Sequence, residues 1–398
     1  MHLICQRCPQ KTSRIFFLPM LILGVVGFII NIHFSVMSSH DGICYPKSNI
    51  VFLKTHKCAG SSIQNILMRY GDAKNLTFVL PRTGNYLGHP APFSRALLPF
   101  PRLPYYNILA HHTRLDYKEI KRLMPGNTAY ITIVRDPVQI FESSFSYYGL
   151  NKFFHSDFRD FIRDLPHLSK KFVDRRYREK FGTNQMMFDL GANPDIFEND
   201  TLVNEYVQKL DQWFDLVLVA DRMDESLILM KRFLCWDIDD VVTFKLNARS
   251  PKFKSELNDE EKEALRKLNH ADAILYSHFL EKFEKEIEQF GRERMASEIK
   301  ELKLRTQKWY DLCIRNVQPF VTPQSKPKYY YNPKVMVFET NKNINNQSCS
   351  SMTMEELPFT DHLREKQMRN YPRRYKKISF HRKVIIRKPA LKVQNALH

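Results

Sequence analysis

Val51-Phe-Leu-Lys-Thr-His-Lys-Cys-Ala-Gly-Ser-Ser62 opens as a short apolar strand, turns through basic and small residues, and starts a helix at Ser61. Such a turn aims backbone N–H groups, hydroxyls and a lysine at one anion, because the first N–H groups of a helix lack partners of their own. A second stretch, Tyr130-Ile-Thr-Ile-Val-Arg-Asp-Pro137, is another apolar strand ending in a cation, and Ser143 follows Arg135 by eight positions on the next helix. Together they describe a site for one ligand with two separate phosphate-like groups. The surrounding rhythm sets the fold class. Strand signals at 50–53, 106–110, 130–134 and 216–220 alternate with helical ones at 61–70, 117–123, 139–148 and from Asp224 onward. That alternation predicts an α/β fold with a parallel sheet and helices on both faces. From residue 258 to about 311 the period is helical, with Leu265, Leu268, Leu275, Phe279, Phe283, Ile287 and Phe290 as a core-facing stripe. Asn258 and Glu261 read as a capping box. Past Val317 the prolines and the tyrosines at 329–331 read as irregular structure.

A chain of 398 residues is long enough for one large domain plus appendages. Its formal charge of +18 points to anionic partners or an acidic surface. No nucleic-acid-binding motif is present. Much of the excess lies between Arg373 and Lys388, where a solvated tail explains it without a specific partner. Residues 15–32 are uncharged and strongly apolar, long enough to cross a bilayer core of about 30 Å. Arg7, Lys11 and Arg14 precede that run, and Asp41 is the first charge after it. The positive-inside rule then places the N-terminus in the cytosol and the rest in the lumen. The expected division is a cytosolic tail at 1–14, a transmembrane signal anchor at 15–34, a stem at 35–47, a lumenal domain at 48–315 and a basic extension at 316–398. Glycosylation triplets at Asn75, Asn199 and Asn346 agree with a lumenal face. So does cysteine usage: Cys58 is expected to be a free thiol, and the pairs Cys44–Cys235 and Cys313–Cys349 to be disulfides.

The first loop is not a Walker-type P-loop, since its lysines precede its one glycine. An ordinary basic turn is the bland alternative. Cys58, Ala59 and Gly60 are small enough to let a phosphate reach the backbone, while Ser61 and Ser62 add hydroxyls at the helix start. Lys57 is suited to stabilise charge on a bridging or leaving oxygen.

The segment Leu53-Lys-Thr-His-Lys-Cys-Ala-Gly-Ser-Ser62 resembles the 5′-phosphosulfate loop of sulfotransferases that use 3′-phosphoadenylyl sulfate (PAPS). Val134-Arg-Asp-Pro137 with Phe141-Glu-Ser-Ser-Phe145 resembles their 3′-phosphate site, which maps onto Arg135 and Ser143. Closer still is the resemblance to membrane-bound galactose 3-O-sulfotransferases, supported by Phe188-Asp-Leu-Gly191, Leu234-Cys-Trp236 and Phe244-Lys-Leu-Asn-Ala-Arg249 over roughly residues 48–315. The resemblance implies a P-loop-like three-layer sulfotransferase fold and a single-pass Golgi enzyme with a lumenal catalytic domain. It implies transfer from PAPS to the 3-hydroxyl of terminal β-galactose, with no metal required. Lys54, Thr55, Lys57, Cys58, Ala59, Gly60, Ser61, Ser62, Arg135 and Ser143 are then the cofactor ligands. His112, after the strand between the two motifs, is the expected general base, with Lys57 its catalytic partner. Arg114, Glu142, Lys245 and Arg249 are candidates for orienting the acceptor. The chain departs from the family pattern at His111, where an Asn is expected, and at Cys58 and Gly60. Three rivals remain at this stage. A nucleotide-sugar glycosyltransferase would use the D-x-D triplet Asp237-Ile-Asp239. A glycan-binding protein would use the basic surface alone, and a pseudoenzyme would bind PAPS without transfer. Whether the chain forms a homodimer is left open.

Overall fold

The structure is a computed structural model that describes residues 44–99, 103–165, 176–245, 255–319, 336–341 and 346–371. The expected cytosolic tail and anchor at 1–34, most of the stem, Arg249 and the basic run from Arg373 lie outside these residues. No helix among the described residues is long and apolar enough to cross a membrane. The compact unit begins at Pro46.

Four parallel strands make the central sheet: β1 (Ile50–Leu53), β2 (Ile108–Leu109), β3 (Ala129–Val134) and β4 (Leu216–Val219), in the order β2-β1-β3-β4. Ile50 pairs with both Ile108 and Ala129, and Ile131 pairs with Leu216. Every residue of these strands is buried. That is why β1 reads as an unbroken apolar run and β3 as one interrupted only by Thr132, as parallel strands covered on both faces do. Phe52, wholly buried in β1, contributes about 1.5–3 kcal/mol by its removal from water.

The chain leaves β1 toward β2 on one side and leaves β3 toward β4 on the other. The boundary between β1 and β3 is therefore a topological switch point, where the loops at the carboxyl ends part and leave a crevice. Both anion motifs of the sequence end there. The strand expected at 106–110 shortens to two residues, β2. Just before it, the Asn107 side chain accepts from Thr77 N and donates to Asn49. Single parallel bridges, Tyr86 to His112 and Pro92 to Arg114, continue that edge beyond the strand.

The helices that position the site are α1 (Gly60–Ala73), α2 (Tyr117–Leu123), α3 (Pro137–Tyr148), α4 (Gln185–Asp189) and α5 (Met223–Leu234). Asp136 caps α3 by accepting from Val138 N, a proline occupies its first turn, and Gly149 ends it at φ 67°. The predicted helical region resolves into α6 (Asp259–Leu268), α7 (His270–Phe290) and α8 (Arg292–Cys313). The capping box of Asn258 and Glu261 is formed. Leu265 of α6 joins Val138, Phe141, Phe145 and Phe161 in an aromatic core that holds α3 in place.

One expectation is overturned. The region past Val317, read as irregular, contains an antiparallel hairpin of β5 (Ile314–Pro319) and β6 (Met336–Thr340), then α9 (Gln347–Thr353) and α10 (Glu356–Asn370). Across the boundary expected near residue 315, Cys313 is bonded to Cys349 and Asn65 of α1 donates to Ser351 O. The signal was thin: α10 buries only Phe359, Thr360, Leu363 and Gln367, and one of these is an amide that accepts from Phe78 N. Of the other cysteines, Cys58 is a free, buried thiol, and Cys44 and Cys235 are both disulfide-bonded. Asn75 and Asn199 are exposed and Asn346 is half-buried. Asn199 and Asn346 cap helices through Oδ1, which leaves the amide nitrogen out of the cap.

Candidate active site

The first loop leaves β1 and turns sharply, with Lys57 and Ala59 both in the left-handed region at φ 61° and 58°. Ala59 sits at the N-cap of α1 and offers no side-chain oxygen to the first-turn N–H groups. Those donors are the arrangement an anion needs, and they fit a phosphosulfate group. Several side chains of the loop face inward instead. Lys54 is buried, its Nζ 2.7 Å from Gln64 Oε1 and 2.8 Å from Glu356 Oε2 of α10. Burial lowers the pKa of Lys54, against the opposing pull of Glu356. Burial works the other way on Glu356, yet the charges of Lys54 and His111 hold its pKa below the usual value. Thr55 donates to Ile133 O at 2.6 Å, tying β1 to β3. Ser62 donates to Phe244 O. Cys58 packs over His56 O, and burial pushes its thiol far above the usual range, so it is not a nucleophile. Gly60 has its own reason: a Cβ there would stand 2.8 Å from Lys54 Cγ. Half-buried Ser61, the Gly60 and Ser61 amides and Lys57 are then the loop's candidates for a ligand, with the Lys57 ammonium over the Tyr147 ring at 3.4 Å.

His112 stands at the end of the β2 edge, half-buried, with Nδ1 3.2 Å from Lys54 O. A carbonyl oxygen only accepts, so Nδ1 carries the proton and Nε2 keeps its lone pair. Burial, followed by the positive charge of Lys54, His56 and His89, holds this ring well below the ordinary histidine value. It is therefore neutral at pH 7, with an Nε2 held by no described residue. His56 stacks on it, centroids 4.3 Å apart at 12°, and so does Tyr86, at 5.1 Å and 17°.

Arg135 stands at the end of β3, its Nη1 donating to Lys57 O at 2.9 Å and its Nη2 to Gln139 Oε1 at 2.8 Å. The two motifs thus meet directly. Asp221 faces the same guanidinium at 3.9 Å. Ser143 lies two turns along α3, half-buried.

Other expected residues have other partners. Arg114 donates to Phe188 O and Ala192 O and lies on the Phe188 ring, an anchor for the chain after α4. Glu142 accepts from Ser255 N. Lys245 is exposed at the edge of the described chain, and Arg249 lies outside it. The triplet Asp237-Ile-Asp239 forms no metal-facing pair: Asp237 takes part in a capping box with Asp240, and Asp239 bonds Arg305 and Trp309.

Sequence reasoning passed over His56, Tyr86, His89 and Asp189. Asp189 was within the quoted Phe188-Asp-Leu-Gly191 segment, and an acid between Phe and Leu is a signal of its own: if buried, it needs partners. The donor atoms of His56, His89 and Asp189 lie within 4.8 Å of one another. Their geometry is that of hydrogen-bonded rings, since both Asp189 oxygens already accept from ring nitrogens.

A profile of the family described as galactose-3-O-sulfotransferase matches residues 9–367. A galactosylceramide sulfotransferase of Bos taurus is 38% identical over 277 residues, covering 69% of this chain and 66% of its own. This chain therefore spans just under two thirds of that relative's length. Galactose-3-O-sulfotransferase 2 of Homo sapiens is 31% identical over 355 residues, covering 82% of this chain and 87% of its own. Galactose-3-O-sulfotransferase 3 of Mus musculus is 31% identical over 345 residues, covering 80% and 78%. With an anion loop, a neutral imidazole and an arginine meeting at one switch point, and matches of this length, the chain belongs to the galactose-3-O-sulfotransferase family.

Proposed function

We propose that this chain transfers a sulfuryl group from PAPS to the 3-hydroxyl of a terminal β-galactose on glycoprotein or glycolipid glycans. The observation that carries the reading is the side-by-side placement of the uncapped α1 turn, His112 and Arg135 at the carboxyl ends of β1, β2 and β3. PAPS, when bound, supplies the activated sulfuryl group and a phosphate leaving group. The α1 amides, Ser61 and Lys57 are the groups suited to its 5′ end, and Arg135 with Ser143 to its 3′-phosphate. A sugar hydroxyl is a weak nucleophile at neutral pH, so a base must take its proton. His112 Nε2 is the candidate: neutral, with an available lone pair and its tautomer set by Lys54 O. Lys57 offsets the charge that develops on the departing phosphate. No step in this scheme calls for a metal. The apolar run at 15–34 and its basic flank support a single-pass Golgi anchor with the folded domain in the lumen.

The names of the relatives point to galactose on two kinds of carrier, a ceramide and other galactosides. The deciding experiment incubates the full chain with radiolabelled PAPS and a panel of galactosylceramide, β1,3- and β1,4-galactosides, with and without a chelator. The expected product carries label on the galactose 3-hydroxyl in both conditions. Retained affinity for PAPS without transfer to any galactoside would make the chain a pseudoenzyme, and absence of affinity would end the reading altogether.

A further inference from the structure

Asp189, the last residue of α4, is wholly buried. A carboxylate without partners at such a site would cost several kcal/mol. Here Oδ2 accepts from His56 N at 2.7 Å and His56 Nδ1 at 2.8 Å, while Oδ1 accepts from His89 Nε2 at 3.1 Å and Gln185 Nε2 at 2.8 Å. Arg176, held on Gln185 Oε1 and Thr183 O, adds a positive charge nearby. Burial would raise this carboxyl, but the charges and bonds of His56 and His89 drive it far below the usual carboxylate range.

An ionised carboxylate only accepts, so each ring must present an N–H to it. His56 is then protonated on Nδ1 and His89 on Nε2. The remaining His56 nitrogen, Nε2, lies 3.1 Å from Tyr86 OH. His56 is thereby fixed at both ends, and its face is the floor on which His112 lies. Its backbone N–H, bonded to the same carboxylate, also fixes the loop two residues past Lys54, whose carbonyl orients His112.

We propose that Asp189 is a positioning residue of the transfer reaction, acting through His56 and the loop backbone to hold the His112 ring in the one orientation from which Nε2 can take the acceptor proton. This rests on the reading of His112 as the base. The proton passes from the sugar 3-hydroxyl to His112 Nε2 as the new oxygen–sulfur bond forms and the bond between sulfur and the 5′-phosphate oxygen of PAPS breaks, releasing adenosine 3′,5′-bisphosphate. Asp189 takes no proton and forms no bond to substrate. The charged or titratable groups facing this cluster are His56, His89, Arg176, Tyr86, Lys54, Asp272, Arg114, Tyr148 and Cys58.

The test is Asp189→Asn in the full chain. An amide offers one acceptor and one donor edge, so one ring must lose its partner or change tautomer. The expected result is a fall in kcat on the order of 10²-fold or more, with affinity for adenosine 3′,5′-bisphosphate within about threefold of the parent protein. Removing a buried negative charge also disfavours the imidazolium, so the acid limb of the kcat profile moves to lower pH. A kcat within about threefold of the parent, or a loss matched by donor affinity with an unmoved limb, overturns the proposal. If the variant does not fold, ring ¹⁵N NMR of the unsubstituted protein decides: His56 protonated on Nδ1 and His89 on Nε2 supports it, and the opposite tautomers overturn it. Stoichiometric zinc retained by the purified protein would likewise overturn it, assigning the three groups to a metal. These readouts are separate from the proposed function, which fails only if no galactoside is sulfated.

Discussion

The two ends of the crevice are built by opposite means. At the α1 end the side chains of Lys54, His56 and Asp189 are 3%, 2% and 0% exposed, and each is held by several bonds. At the α3 end Arg135 and its counter-ion Asp221 are 26% and 21% exposed, with the two separated by 3.9 Å. The first environment has a low dielectric, where a dipole or charge is strong but cannot be rearranged cheaply. The second stays wet, so its charges are screened and adaptable. On the proposed reading, chemistry belongs in the first and retention of a phosphate in the second.

Substitutions that separate rate from affinity test that contrast most directly. His112→Ala should lower kcat by about 10²–10⁴-fold and leave the affinity for adenosine 3′,5′-bisphosphate nearly unchanged in calorimetry. An equal loss of both would erase the distinction between the two ends. The next largest effect is on stability. Burial lowers His111 from 6.5 to about 4, so the unfolded chain binds a proton that the folded one refuses. This contribution is complete above pH 6.5 and is lost as pH falls toward 4, worth about 3 kcal/mol by linkage. His111→Asn, which can still bond Thr360, should remove that slope from denaturation midpoints measured between the two limits. Asp272, raised to about 7 by burial, slopes the opposite way in both proteins, so the difference between them is the measurement.

Arg135→Ala should act on binding: about 1.5–3 kcal/mol of affinity for the bisphosphate, the worth of a charged hydrogen bond, with a smaller change in kcat. A kcat loss larger than the affinity loss would move Arg135 into the chemical step. Ser143→Ala should be the mildest, about 0.5–1.5 kcal/mol in the same titration. If the pair acts on one phosphate, the double variant will fall short of the sum.

Much of this was legible locally. β1 and β3 announce themselves because strands covered on both faces are mostly apolar, Thr132 apart, and the candidate anion-binding residues lie within a few positions of their ends. His112 was legible from its place after β2. The misses share a cause, which is distance along the chain. Asp189 meets His56 across 133 residues and Glu356 meets Lys54 across 302. No local pattern in either segment names its partner. Lys54 and Thr55 illustrate the same limit from within the motif: a lysine and a hydroxyl in an anion loop look like ligands until the fold shows what lies beneath them. α10 was hidden for a different reason, since a helix with so few apolar positions resembles a solvated tail.

The ion pair between Lys54 and Glu356 has a consequence for biosynthesis. The loop after β1 receives one of its clasps from a residue 302 positions later in the chain. This corner therefore closes only after α10 has been synthesised, and a premature stop ahead of Glu356 would leave Lys54 buried against Gln64 with no counter-ion from α10.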